Sequence, residues 1–210
     1  MRSISRGGVS LIVTNAPSND RIISRDFIAM HSELGEELMD KYALLPVRFG
    51  TILVSGEKGM ELLEKQGSQF ASQLKRVAGK VEMGLKAIWE NRQKFAVKDD
   101  SKDKIHSGKR YLLARMEQVK EQKLFEDRAR AIGNQINAEF AWAEDLRVKY
   151  LSTPKLFYNA SFLISKNEET RFWERVEKLK IHFPGLKFLA SGPWPPYNFS
   201  NINEQARGGN

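Results

Sequence analysis

The chain contains no cysteine, which excludes disulfides, thiolate metal sites and cysteine nucleophiles. Histidine is nearly as scarce: His31, His106 and His182 lie far apart, and none has a partner at metal-ligand spacing. No stretch approaches the roughly 20 apolar residues that span a bilayer. The start Met1-Arg2-Ser3-Ile4-Ser5-Arg6 leads into no signal-peptide core, so the expected place of synthesis and residence is the cytoplasm. The glycine patterns that cradle phosphates and the GxSxG elbow are missing. Acid pairs such as Asp99-Asp100 and Glu168-Glu169 lie in polar sequence, with no apolar pocket to suit them to acid–base work. These absences point to a protein without catalysis or cofactor.

What is present is a globular profile, with 41% hydrophobic and 29% charged residues over 210 residues. That length is enough for one large or two small domains. The formal charge is +8, which fits nucleic acid, an acidic surface or an acidic protein partner. The positive residues are interleaved with acids, however, as in Glu117-Gln118-Val119-Lys120-Glu121. That pattern belongs to a solvated helix face rather than to a phosphate-binding patch.

Periodicity sets the elements. Residues 8–14 form a short β-branched run that ends at the turn formers of 15–20, read as a strand and a loop. Phe27, His31, Leu34 and Leu38 recur at helical spacing behind Ser24 as N-cap, with His31 a half-buried face residue. The stretch 44–54 alternates as a strand, with Leu45, Val47, Phe49 and Leu53 on one face and Arg48 on the other. Arg48 reads as a structural anchor, needing a carboxylate or backbone oxygens if buried, or as a partner contact. Gly56-Glu57-Lys58-Gly59 breaks this strand, and 60–77 is an amphipathic helix carrying Leu63, Phe70, Leu74 and Val77, closed by Gly79.

Val81, Met83, Leu85, Ala87 and Trp89 share one face of a second strand, and the charged stretch 98–104 reads as a surface loop. Residues 111–142 are rich in helix formers, with one apolar stripe at Leu112, Met116 and Val119 and another at Ile132, Ile136 and Phe140. A single projecting helix and a hairpin turning near Lys123 both satisfy that tract. Leu156, Tyr158, Ala160, Phe162 and Ile164 define a further strand. A helix follows with Phe172, Val176, Leu179 and Phe183 in register, stopped by Pro184-Gly185. The strand at 186–190 then runs into Gly192-Pro193-Trp194-Pro195-Pro196-Tyr197-Asn198-Phe199.

Each proline in that ribbon fixes φ and removes a donor, so the segment is stiff and extended. It either closes the C-terminal domain or also presents aromatics to a partner. Trp194, Tyr197 and Phe199, together with Arg48, are the candidate partner contacts.

The fold expectation is α+β with two domains. The first, 1–80, is a smaller α+β domain. The second, 81–199, follows a βαββαβ plan if Leu146-Val148-Tyr150 pairs with the next strand, ferredoxin-like with an enlarged helical region at about 104–143. A mobile polar tail, 200–210, ends the chain. Such a sheet can present aromatics to bases, and Val47-Arg48-Phe49-Gly50 is superficially close to the strand that would do so. Its Phe49 shares a face with Leu45, Val47 and Leu53, so nucleic-acid binding is the alternative reading and not the first.

Four motifs carry more than periodicity: Leu45-Pro46-Val47-Arg48-Phe49-Gly50-Thr51, Val81-Glu82-Met83-Gly84-Leu85-Lys86, Asn159-Ala160-Ser161-Phe162-Leu163-Ile164 and the ribbon itself, in this order. Together they resemble the gas vesicle accessory proteins of the F and L type (GvpF/GvpL), over about residues 8–199. The resemblance implies a two-domain α+β protein, not an enzyme and without a cofactor. It implies a part in gas vesicle formation through binding the small hydrophobic shell protein and other accessory proteins, as assembly factor or minor component. The implied location is the gas vesicle, and the cytoplasm before assembly, with no membrane partner. Family members begin with an aromatic strand of the Tyr-x-Tyr-Gly kind ahead of the segment matching 8–14. Its absence implies that the N-terminal domain lacks a strand or starts from a different initiation site.

Overall fold

A computed structural model describes residues 1–15, 24–90, 107–151, 153 and 155–200. The turn formers at 16–20, the charged stretch 98–104, His106 and the tail 201–210 lie outside the described residues. Two strands, β1 (Arg2–Arg6) and β2 (Val9–Val13), form a hairpin, followed by helices α1 (Arg25–Lys41) and α2 (Gly56–Val77). Then come β3 (Lys80–Trp89), α3 (Ser107–Glu139), β4 (Asp145–Tyr150), β5 (Leu156–Ser165), α4 (Glu169–His182) and β6 (Leu186–Trp194). Contacts group the chain into two units. One is Met1–Met83, Leu163–Asn167 and Gly192–Asn210; the other is Gly84–Phe162 and Glu168–Ser191. The strands β3, β5 and β6 each run from one unit into the other.

In the first unit, β1 pairs antiparallel with β2 in a register that sets Arg6 opposite Val9. Gly7 and Gly8, at φ 58° and 79°, supply the two left-handed residues that a tight hairpin turn demands. The first unit therefore has a strand ahead of Val9, though not one of the aromatic Tyr-x-Tyr-Gly kind. It is built from Ser and Arg alternating about Ile4 instead of aromatics. Ile4 and Leu11 pack beside Val9, Leu45, Leu63, Phe70 and Val77 of the core, so the hairpin covers the apolar face of α2.

Two expectations fail here. Residues 44–54 are not a strand: Pro46 offers no donor, and the chain turns at Gly50 (φ 83°), where Thr51 N–H donates to Arg48 O at 3.2 Å. The alternation survives without a ladder, because Leu45 is buried while Arg48, Ile52 and Val54 are exposed. Gly56 to Gly59 do not break an element but open α2. Ser55 is its N-cap and accepts from Lys58 N–H, which outweighs the poor helix propensity of two glycines.

The four-stranded sheet has the order β4-β5-β3-β6. Lys166 N–H donates to Gly79 O and Trp89 N–H to Lys155 O, bonds at opposite ends that make β3 and β5 antiparallel. Glu90 N–H to Gly185 O and Leu151 N–H to Phe157 O do the same for β3 with β6 and for β4 with β5. β5 is buried on both faces at Phe157–Tyr158 and again at Phe162–Ile164, more than a single-face alternation predicts, as suits an interior strand.

In the second unit, α3 is one continuous helix of 33 residues, about 50 Å long at 1.5 Å per residue. Its C-terminal part carries the core: Ala129 and Ile136 are buried, as is Phe140 in the turn just past the helix. The Phe140 ring lies 4.5 Å from Phe162 and 5.1 Å from Phe172. Tyr158, fully buried, donates to Asn137 Oδ1 at 2.6 Å, and burial pushes its phenol far above the usual tyrosine range.

Gly133 is where Tyr150 meets the helix, since a Cβ there would sit 2.4 Å from the Tyr150 ring. Gly133→Ala is expected to lower unfolding free energy by about 1–2 kcal/mol, overpacking outweighing the gain in helix propensity. Gly67 of α2 has nothing within 4 Å of the same added atom. Gly67→Ala should therefore raise stability by about 0.5–1 kcal/mol. Urea unfolding of the two variants tests the opposite signs, and equal shifts would refute the close approach.

Candidate functional site: a clamped aromatic ribbon

The ribbon begins inside β6, which ends at Trp194. A proline there is tolerated because β6 is an edge strand. Gly192 has φ 124°, and a Cβ on it would lie 2.8 Å from Met83 Sδ and 2.9 Å from Glu82 O, so only glycine lets the backbone lie this close to β3. The Gly192-Pro193 bond is cis. Beyond the strand, Pro195 and Pro196 are buried and Tyr197–Phe199 makes one 3-10 turn.

Three segments hold the ribbon in place. On α1, a Cβ built on Gly35 would meet Pro195 Cγ at 3.4 Å and the Tyr197 hydroxyl at 3.8 Å. One helical turn earlier, His31 Nδ1 lies 3.4 Å from the Tyr197 hydroxyl, and its ring packs edge-on against Phe49 at 5.5 Å. From β3, the Glu82 carboxylate is only 6% exposed. It accepts from Asn198 N–H at 2.8 Å with one oxygen and from Asn198 Nδ2 with the other. From the 44–54 segment, Pro46 O accepts from the Ser200 hydroxyl at 3.2 Å. Burial, with a smaller push from the Glu36 carboxylate, holds the Tyr197 phenol above its ordinary range, so it is neutral at physiological pH.

The four candidate contacts are thus placed differently. Phe199 is 1% exposed and belongs to the interior, Tyr197 is half-buried, and Trp194 leaves 40% of its surface open. Arg48 is exposed. The carboxylate that clamps the ribbon is Glu82, a residue that sequence reasoning passed over. Its partner is 116 residues away in sequence, and the only local signal was a carboxylate between two buried apolar residues. Phe49 sits half-buried against His31 in a segment that is not a strand, so the exposed aromatic strand required for base stacking is not formed there.

A cleft of about 290 Å³ lies beside the ribbon, lined by Asp40, Tyr42, Lys80, Lys166 and Pro196 among others. The Lys166 ammonium donates to Met39 O at 2.7 Å and pairs with Asp40 at 3.3 Å, serving the C-terminal turn of α1. Among the described residues no group of His, Asp and Glu is arranged to hold a metal ion, and no helix is long and apolar enough to cross a membrane.

Comparison with known proteins agrees with this architecture. A family model described as gas vesicle synthesis protein GvpL/GvpF matches residues 1–201. Gas vesicle protein L of Streptomyces sp. (strain CB03234) is 25% identical over 207 residues, covering 90% of this chain and 76% of that protein. Gas vesicle protein F of Dolichospermum flosaquae is 25% identical, covering 91% and 84%. Among solved structures, GvpF from Anabaena sp. PCC7120 superposes with a TM-score of 0.76 at 24% identity, covering 95% of this chain and 87% of that one. GvpF from Microcystis aeruginosa gives 0.72 at 21% identity, with 95% and 88% covered. At these identities the structural matches speak for the mixed α+β fold.

Proposed function

Because the chain belongs to the GvpL/GvpF family of gas vesicle synthesis proteins, we propose that it acts in gas vesicle formation by binding the hydrophobic shell protein and other accessory proteins. It does so as an assembly factor or minor component, in the cytoplasm before assembly and at the vesicle afterwards. The observation that carries this reading is the ribbon. Its prolines, Tyr197 and Phe199 are spent on fixing its position, while Trp194 at its start remains 40% exposed. A preset aromatic with little entropy left to lose is the kind of group that anchors an interface. Unassembled shell subunits, apolar on one side, need such cover to avoid aggregation.

Arg48, exposed on the 44–54 segment, is the second proposed contact, suited to a carboxylate or a backbone oxygen. The strand order β4-β5-β3-β6, with α3 and α4 as crossovers, supports reading residues 81–199 as a ferredoxin-like domain with an enlarged first helix.

Trp194→Ala is expected to weaken capture of purified shell protein by about 10-fold, and Arg48→Ala by a smaller factor. Binding assays with the full chain, alongside circular dichroism to show that both variants fold, check this. Unchanged capture by folded Trp194→Ala would remove the ribbon from the interface. Normal vesicles in a strain lacking the gene would remove the assembly role.

A further inference from the structure

The two apolar stripes of α3 do not share a side. At about 100° per residue, the group Leu112, Met116 and Val119 points roughly 120° around the axis from Ala129 and Ile136. The second group is buried; the first is 60%, 56% and 56% exposed, with Leu113 and Leu124 beside it at 57% and 71%. A helix whose apolar stripe is left open by the described residues has a use for that stripe elsewhere.

Spacing and charge define the occupant. Leu112, Met116 and Val119 are separated by four and then three residues, the seam of a helix that packs lengthwise on another helix. Lys123 stands at the next seam position. Arg115 flanks one side and Lys120 the other, while Glu117 and Glu121 fall on the far side of the helix by the same rotation. From 112 to 123 the seam therefore has basic borders and no acid, and the first acids facing this way, Glu126 and Asp127, come a turn later.

A second copy of the 112–123 stretch would bring basic borders onto basic borders in either direction. A lipid surface would take a broad, unbroken apolar face, whereas this one is a narrow seam interrupted by Lys123. We propose that the first half of α3 is a docking rail for an amphipathic helix with a leucine-type seam and acidic flanks, supplied by a partner protein. The proposal stands apart from the ribbon and from the identity of the ribbon's partner.

The test uses the full chain and two synthetic helical peptides, both with Leu at the seam positions, one with Glu and the other with Lys at the flanks. Fluorescence anisotropy should show the Glu peptide binding about 10-fold or more tightly than the Lys peptide, with the preference shrinking as salt rises. Met116→Glu combined with Val119→Glu, both at exposed positions, should abolish that binding while circular dichroism and urea unfolding stay as in the parent chain. Equal affinity for the two peptides, or undiminished binding by the double variant, would overturn the proposal. A dimer seen in sedimentation velocity and dissolved by the double variant would assign the stripe to a second copy instead. Co-sedimentation with phosphatidylglycerol vesicles that the double variant loses, without peptide binding, would assign it to lipid.

Discussion

Replacing Phe140 by Ala is expected to lower the unfolding free energy by about 3–5 kcal/mol, the range for deleting a fully buried aromatic ring. Phe140 is 1% exposed. It contacts Phe162 and Phe172 with ring centroids at 4.5 and 5.1 Å, and Trp142 at 6.3 Å. No neighbour can close the void easily, because Phe162 lies on interior strand β5 and Phe172 on α4, and both are fully buried. Offset and edge contacts among rings add about 0.5–1.5 kcal/mol per pair beyond burial. Leu112→Ala on the exposed first half of α3 should change stability by no more than about 0.5 kcal/mol. Urea unfolding of both variants makes the comparison. A loss below about 1 kcal/mol for Phe140→Ala would mean that the base of α3 is held by something other than this cluster.

The contrast within one helix also shows what periodicity can and cannot tell. Leu112-Met116-Val119 and Ile132-Ile136-Phe140 are equally good stripes in sequence, and only the continuity of α3 decides that they diverge. A hairpin near Lys123 would have let both face a common core. The strands β3, β5 and β6 were legible because alternation over many residues has no other use, and the Ser24 and Gly79 boundaries because caps are local chemistry. The 44–54 segment shows the limit: its alternation correctly sorts Leu45 inside and Arg48 outside, yet extended chain becomes a strand only with a partner, and Pro46 and Gly50 deny it one. β1 was readable in principle from Gly7-Gly8 between two alternating stretches. Its single apolar residue, Ile4, hid it. Of the site, the stiffness of the ribbon was legible and its clamp was not. Glu82, Gly35 and His31 act across long sequence separations, and no local pattern encodes such a contact.

That clamp supplies the second large effect. Glu82→Ala should reduce stability by about 2–4 kcal/mol, since hydrogen bonds to a charged acceptor contribute about 1.5–3 kcal/mol each and part of that is offset by the desolvation of the carboxylate. Two such bonds end on Glu82, from the backbone N–H and the side-chain amide of Asn198. Removing them also leaves the Asn198 N–H without this acceptor, in a turn flanked by buried Pro196 and Phe199. Asn198→Ala removes the side-chain bond to Glu82 and keeps the backbone one, and should cost about 1–2 kcal/mol. The double variant should lose less than the sum of the two, by at least about 0.5 kcal/mol, because both deletions break one contact. Limited proteolysis should then cut near residues 192–200 in Glu82→Ala and not in the parent chain. If the ribbon presents Trp194 to a partner, capture by Glu82→Ala should fall although Trp194 is intact, because the anchor is no longer preset. Additive losses with no new cleavage would show that the ribbon is held by its prolines, Phe199 and its contacts with α1 and the 44–54 segment without help from Glu82. Loss of the clamp with full capture would separate the position of the ribbon from binding.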